Sequence, residues 1–457
     1  MSTSTEPHDR GAEADSAEAD MAEAEIAEAE MFADRRDVLP ARACRNAPRR
    51  PVAGDGLRRG ARRISDVPDD FGAFTTVIAP TALCRESGPR YGALRVDDPG
   101  ELIAALPAMV GFVPECSLVV AVLRPGPSPT IEAVVRFDLG DGGHERIETY
   151  AACLAQICSV EGAREVLAVV VDDRLPEPVG PHRAPRPGPA SALPDDRAPG
   201  RVVTALDKQL ARRGIEVSGA WAVCAIETGR WWWNLFDPGE RGVVADPTAS
   251  PVALAQVLDG RTIHRSRAEL TALLARDDEL SERVAARLGA ATDAAHDRFT
   301  RAVRHDDLDH YRRNIVEYAL WQVANAESGA ELGDTEIARL VVGLRDQVVR
   351  DSLFALAIGE HAAAAEDVWL TMVRASSGSD RADAAVLLAY SAYVRGDGPF
   401  AGIALDTALT AEPVHSLAQL LETALRNGLR PESLRRLGRS GHATAAGLGL
   451  DLGPEAL

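Results

Sequence analysis

Lysine is almost missing from this chain: of 50 basic residues in 457, all but Lys208 are arginine. A phosphate-binding loop of the Gly-x-x-x-x-Gly-Lys-Ser/Thr kind needs a lysine beside a hydroxyl residue, whereas Lys208 sits in ALDKQLARR. A kinase strand lysine or a lysine Schiff base has only that mid-helix position to occupy. Cysteine is sparse too. The six (Cys44, Cys84, Cys116, Cys153, Cys158, Cys224) include no Cys-x-x-Cys pair, which points to reduced structural thiols and away from zinc knuckles or redox pairs. Long apolar runs are absent. The best, residues 102–113, is broken by Pro107 and Gly111, while a membrane span needs about 18 apolar residues, so no membrane helix is expected. The start MSTSTEPHDRGAEAD lacks a basic segment followed by an apolar one, so we expect a cytoplasmic protein.

What is abundant is acid. The net charge is −19, which argues against nucleic acid and membrane surfaces as partners, since both attract clustered cations. Residues 1–34 hold eleven acids and one arginine, and residues 35–63 hold ten arginines and two acids. These blocks nearly cancel, so the acidity belongs to the remainder of the chain. The tail repeats AEADS, AEADM, AEAEI and AEAEM. A five-residue period advances 140° around a helix, so its apolar residues spiral and form no face to bury. Residues 1–63 are therefore expected to be a disordered acidic-then-basic tail.

An α/β domain is expected over residues 74–265. Residues 93–96 read as a short strand, followed by a helix from Pro99 to Met109 capped by Asp97 or Asp98. SLVVAVLR (117–124) and IEAVVRF (131–137) read as a hairpin, residues 144–163 as an amphipathic helix, and EVLAVVVDD (165–173) as a central buried strand. A helix from Val202 to Arg213 and strands Val217–Ile226 and Arg230–Phe236 follow. Alternating strands and helices imply a mixed sheet. Residues 173–200 carry eight of the 28 prolines and read as a flexible insertion. From about Ser266 the pattern turns purely helical, giving an all-α domain over 266–440 and a flexible C-terminus over 441–457. Within it, residues 382–413 fit a tetratricopeptide-like hairpin, with Leu388, Ala389, Ala401, Ala408 and Pro413 at the repeat's small and apolar positions.

Three separated motifs carry a family resemblance. Gly111, Phe112, Pro114 and Ser117 form Gly-Phe-x-Pro-x-x-Ser before an apolar strand; Gly229, Arg230, Trp231 and Trp232 form Gly-Arg-Trp-Trp; and Gly396-Asp397-Gly398 opens a helical segment. Over roughly residues 92–436 the chain resembles the actinobacterial family catalogued as domain of unknown function 4192. Members of that family carry cysteines shortly after the double tryptophan, and this chain has none there. The resemblance implies a fold and no activity.

Candidate ligand-binding residues follow from these patterns. In GFVPECS, Cys116 or Ser117 offers a nucleophile, or the segment is a turn that sets helix–strand packing with Phe112 as its plug. Asp138, Asp141, Asp172 and Asp173 follow strands, where open α/β sheets place ligands and carboxylates can hold Mg²⁺. Gly140, Gly142 and Gly143 form a weak phosphate-loop pattern, weakened further by Glu145. Trp231 and Trp233 share one strand face, suited to stacking a ring or to burial against the helical domain. His305 with Asp309, and Asp306 with His310, have helical i,i+4 spacing that suits half a metal site or a solvated helix end. The candidate set is thus Gly111, Phe112, Pro114, Ser117, Asp138, Asp172, Asp173 and Trp231, with no cofactor and no metal ligand set specified. Lacking a coherent catalytic motif, the chain reads first as a binding or regulatory module whose helical domain contacts a protein partner. The alternative is an enzyme or nucleotide/phosphate-binding module working at the strand ends.

Overall fold

A computed structural model describes residues 74–78, 98–126, 129–139, 143–175, 198–237, 239–258 and 261–455. The tail, the strand expected at 93–96, the Gly140 and Gly142 loop with Asp141, and most of the proline-rich insertion lie outside them. Among the described residues, seven strands form one sheet: β1 (Phe74–Ile78), β2 (Ser117–Arg124), β3 (Thr130–Asp138), β4 (Glu165–Val171), β5 (Glu216–Val223), β6 (Trp231–Asn234) and β7 (Arg241–Val243). Their order is β1-β3-β2-β4-β5-β6-β7. Every pair is antiparallel except β4 with β5, so the sheet is mixed and the apolar run at 165–171 is its central strand. The parallel pair requires a crossover, which helix α3 (Pro199–Ala211) supplies. Sequence reading found five of the strands; β1 and the three-residue β7 are too short and unpatterned to announce themselves.

Helix α1 (Pro99–Val110) begins where a carboxylate cap and proline meet. Asp98 Oδ1 accepts from the Gly100 amide at 2.8 Å, Pro99 needs no donor partner, and Gly111 ends the helix at φ 81°. Gly111 is needed there because that left-handed backbone penalises a Cβ. Strand β2 is apolar on both faces because both are covered. Leu118, Val120 and Val122 join Val135 and Phe137 of β3 against helix α2 (Gly143–Glu161) and α3. Val119, Ala121 and Leu123 join Val134, Val169 and Trp221 against α1, and that core runs on without a break into the helical part.

The helical part begins at α4 (Pro251–Leu258) and α5 (Arg267–Leu273), the latter capped by Ser266, whose hydroxyl accepts from the Glu269 amide at 3.1 Å. It continues through α6 (Asp278–His305), α7 (Leu308–Glu327), α8 (Asp334–Leu344), α9 (Gln347–Leu353), α10 (Ala362–Ala375), α11 (Gly378–Arg395), α12 (Gly398–Ala411), α13 (Ser416–Arg426) and α14 (Pro431–Gly447). Helices α11 and α12 form a helical hairpin, turned at Gly396 (φ 86°) and capped by Asp397, which accepts from the Phe400 amide at 3.1 Å. The last helix runs past the boundary expected at 440. Gly441 explains why: a Cβ there would lie 2.8 Å from the Ala355 nitrogen, so α14 packs backbone to backbone on the core. The i,i+4 reading at 305–310 fails, because α6 ends at His305 and Asp306 turns the chain at φ 55° before α7 begins. No helix of the described residues is long and apolar enough to cross a membrane.

Two glycines let Trp232 into the core. A Cβ on Gly242 would lie 2.6 Å from Cζ2 of Trp232, and one on Gly100 would lie 2.5 Å from the Val243 carbonyl oxygen. The indole also donates to that carbonyl at 3.2 Å. Gly242→Ala should therefore destabilise the protein by roughly 1–3 kcal/mol through overpacking. Urea unfolding measures it, and a midpoint equal to the parent's would contradict this packing.

Candidate functional site

The sheet's strand order brings most of the candidate residues to one end. Ser117, the first residue of β2, sits in register opposite Asp138 at the end of β3 and opposite Val171 at the end of β4. Asp172 and Asp173 follow directly. Ser117 is fully buried and donates its hydroxyl proton to the Glu115 carbonyl, while it accepts from Arg136 Nε at 2.9 Å. Strand alternation places Arg136 on the same face as Val134, the face that meets the helical part. Its guanidinium is 3% exposed, ion-paired to Asp138, and 5.3 Å from the centroid of the Phe112 ring. One nitrogen, Nη1, is buried with no hydrogen-bond partner. Burial is the main force lowering the Arg136 pKa, Asp138 opposes it, and the nearby Arg267 adds to it. A guanidinium nevertheless keeps its charge, so the strand end carries a fixed buried cation.

Facing it is a cavity of about 630 Å³, bounded on the sheet side by Phe112, Glu115, Arg136 and Asp138. Helix α5 and the turn after it contribute Arg267, Thr271 and Leu274, α11 contributes Arg381, and α12 contributes Thr407. Arg267 is joined to Asp406 of α12 at 2.9 Å, and its Nε is buried without a partner. Arg381 donates to the Leu274 carbonyl at 2.7 Å and pairs with no carboxylate among the described residues. Burial, then repulsion from Arg276, lowers its pKa. Burial lifts the Asp406 carboxyl to about 6; Arg267 pulls it down and Glu422 pushes it further up.

A second cluster lies beside the first. Ligand atoms of Cys116, Asp172 and Asp173 lie within 4.8 Å of one another. Both Asp172 oxygens, however, are already taken by Arg174, whose Nε and Nη2 donate at 2.8 and 2.7 Å. The Cys116 thiol lies 3.4 Å from Asp173 Oδ1 and donates to it. Burial above all, then that bond, pushes the thiol up to about 11. A metal ligand or nucleophile must be thiolate, so this environment holds Cys116 in the wrong state for either role. Ser117, sealed and already hydrogen-bonded at both ends, is likewise no nucleophile.

The remaining candidates separate. Phe112, 1% exposed, both plugs the turn and walls the cavity, while buried Pro114 shapes the same turn. That turn is tied down where the His264 amide donates to the Gly111 carbonyl at 2.9 Å and the Val113 amide to the His264 carbonyl at 3.1 Å. Trp231 is half-buried, pairs in register with Val243, and is not part of the cavity wall. The tryptophan that enters the core shared with the helices is Trp232, not the Trp231–Trp233 face. Sequence reading missed Arg136, Arg267 and Arg381. The signal for Arg136 was present in IEAVVRF, a cation inside an otherwise apolar strand; the other two are ordinary arginines of helical sequence.

Two outcomes follow. Phe112→Ala, which empties the plug, should cost about 3–5 kcal/mol in chemical unfolding; a loss below 1 kcal/mol would show the turn holds without it. Asp406 takes up its proton in the folded state near pH 6 but in the unfolded chain only near pH 3.8. Folding therefore loses stability as pH rises between those values. The melting temperature of Asp406→Asn relative to the parent should rise as pH goes from 4 to above 6 in thermal melts. A difference that does not change with pH would contradict the assignment.

The family model described as Domain of unknown function (DUF4192) matches residues 99–432. No curated protein and no solved structure matches the chain. The match takes in β2 to β7, the cavity and helices α1 to α13, together with all three sequence motifs. The chain belongs to the domain-of-unknown-function 4192 family.

Proposed function

We propose that this protein is a binding module whose small-molecule ligand enters the cavity between the ends of β2 and β3 and helices α5, α11 and α12. The observation that carries this reading is the 630 Å³ cavity walled by Arg136, Arg267 and Arg381, with buried donor nitrogens on two of them left without partners. Ligand sites are concave, largely apolar, and furnished with a few convergent polar groups, often where two structural parts meet. Arg381 on the cavity wall bonds to a backbone carbonyl and to no carboxylate among the described residues, so a cation there is available to a ligand. Because no nucleophile with an activating base accompanies the arginines among the described residues, recognition is favoured over catalysis as the use of the site.

A second reading keeps the protein partner on the helical part. It draws on Phe299, Val303 and Trp321 of α6 and α7, of which Trp321 is 58% exposed. The two readings act at different places. Hence a thermal-shift screen of organic acids, phosphates, nucleotides and divalent cations should find a stabilising small molecule for the parent chain. Thr271→Trp, which fills the cavity mouth, should remove that stabilisation, while Trp321→Ala should leave it unchanged. Stabilisation that survives Thr271→Trp would place the ligand elsewhere and sink the first reading.

A further inference from the structure

We infer that the cavity takes a small organic oxyanion, a carboxylate or phosphate on an apolar body, whose charged group sits between Arg267 and Arg381 in competition with Asp406. The inference rests on the reading of this cavity as a ligand site and adds the chemical class of the ligand and the residue that limits its binding.

The charge balance of the cavity points to an anion. Of its three guanidinium groups, Arg136 is held by Ser117 and Asp138, with only its buried Nη1 left over. Arg381 is half-buried and has a backbone carbonyl as its hydrogen-bond partner, with no carboxylate among the described residues. Arg267 has one carboxylate, reached from another helix, and a buried Nε that bonds to nothing. Arg267 lies close enough to Arg136 to repel its charge. An oxyanion placed against Arg267 and Arg381 supplies Arg381 with a counter-charge and relieves that repulsion. Planar guanidinium forks suit such oxygens bidentately.

The rest of the wall restricts the ligand further. Phe112, Val113, Ala272 and Leu274 offer an apolar surface to a hydrocarbon or ring. Glu115 adds a carboxylate at the rim and opposes a second negative group, which disfavours polyphosphates. Asp406 meanwhile occupies Arg267 as an internal substitute for the ligand. It is faced by Arg267 from α5 and by Glu422 and Arg426 from α13, and those last two pair with each other at 2.5 Å. Above pH 6 Asp406 is ionised and holds Arg267. As pH falls through about 6 it takes up a proton and releases Arg267, so ligand binding tightens towards acid.

The test uses the full chain and four probes: benzoate, phenyl phosphate, inorganic phosphate and neutral benzyl alcohol, by thermal shift and calorimetry at pH 7.5 and 5.5. Benzoate or phenyl phosphate should bind, and more tightly at pH 5.5; which of the two binds better identifies the oxyanion. Arg381→Gln should weaken that binding by about tenfold or more, the worth of a hydrogen bond to a charged group. Asp406→Asn should strengthen it at pH 7.5 on the order of fivefold to tenfold and abolish the pH dependence of benzoate binding, benzoate itself staying ionised at both pH values. A gain in affinity cannot come from misfolding. The inference falls if neither acid binds, or if binding is unchanged in both variants. Inorganic phosphate binding as well as phenyl phosphate would overturn the apolar body. Benzyl alcohol binding as well as benzoate, and lost in Thr271→Trp, would overturn the anion while leaving the cavity as a ligand site. Failure of all four probes, with nothing found in the wider screen, would overturn both.

Discussion

One face of the β-sheet has helices α2 and α3 as its own cover; the other has only the single helix α1 and must borrow the rest from the helical part. Strands β2 and β4 are apolar on both sides, and neither side can be left to water, so the sheet and the helices share one continuous core. That shared burial sets the positions of everything else. It brings α5, α11 and α12 over the end of the sheet, and the cavity is the space left where the strand ends stop and the helices pass over them.

The same arrangement explains why the cation at the strand end is tolerated. An isolated buried guanidinium would be prohibitive, and Arg136 persists because Ser117 meets it from β2 and Asp138 from two residues along its own strand. An ion pair also fastens the two parts of the core to each other: Arg430 at the start of α14 pairs with Glu161 at the end of α2, while Arg267–Asp406 joins α5 to α12 within the helical part. Removing Arg430 would leave the buried Glu161 without its nearest cation, so that contact holds helices to sheet beyond apolar packing.

Cys116 illustrates how position can defeat chemistry. Its sequence context suggested a nucleophile, and the fold does place it among strand-end acids. Burial is the main reason it stays protonated, and the hydrogen bond it donates to Asp173 adds to that. With Asp172 committed to Arg174, the neighbouring cluster is internally satisfied, whereas the arginine-lined cavity is not. The contrast between a closed set of hydrogen bonds and an open one separates a structural feature from a candidate site.

Local information in the sequence was enough for what depends on neighbours along the chain. Asp98-Pro99 and Gly111 delimit α1, the apolar run at 165–171 makes a two-sided central strand, Gly396-Asp397 turns the α11–α12 hairpin, and Asp138, Asp172 and Ser117 gather at one sheet end as the strand pattern implied. The near absence of lysine already made arginine the cation any site would use. What the sequence did not contain was which arginines: Arg136, Arg267 and Arg381 lie far apart in the chain and look alike in it. Nor did it show that Trp232, not Trp231, turns inward, or that the helix end it allowed at 305–310 is a break at Asp306 between two helices. Those were decided by tertiary structure, because burial, charge repulsion and the loss of hydrogen-bond partners arise only when distant segments are packed against each other.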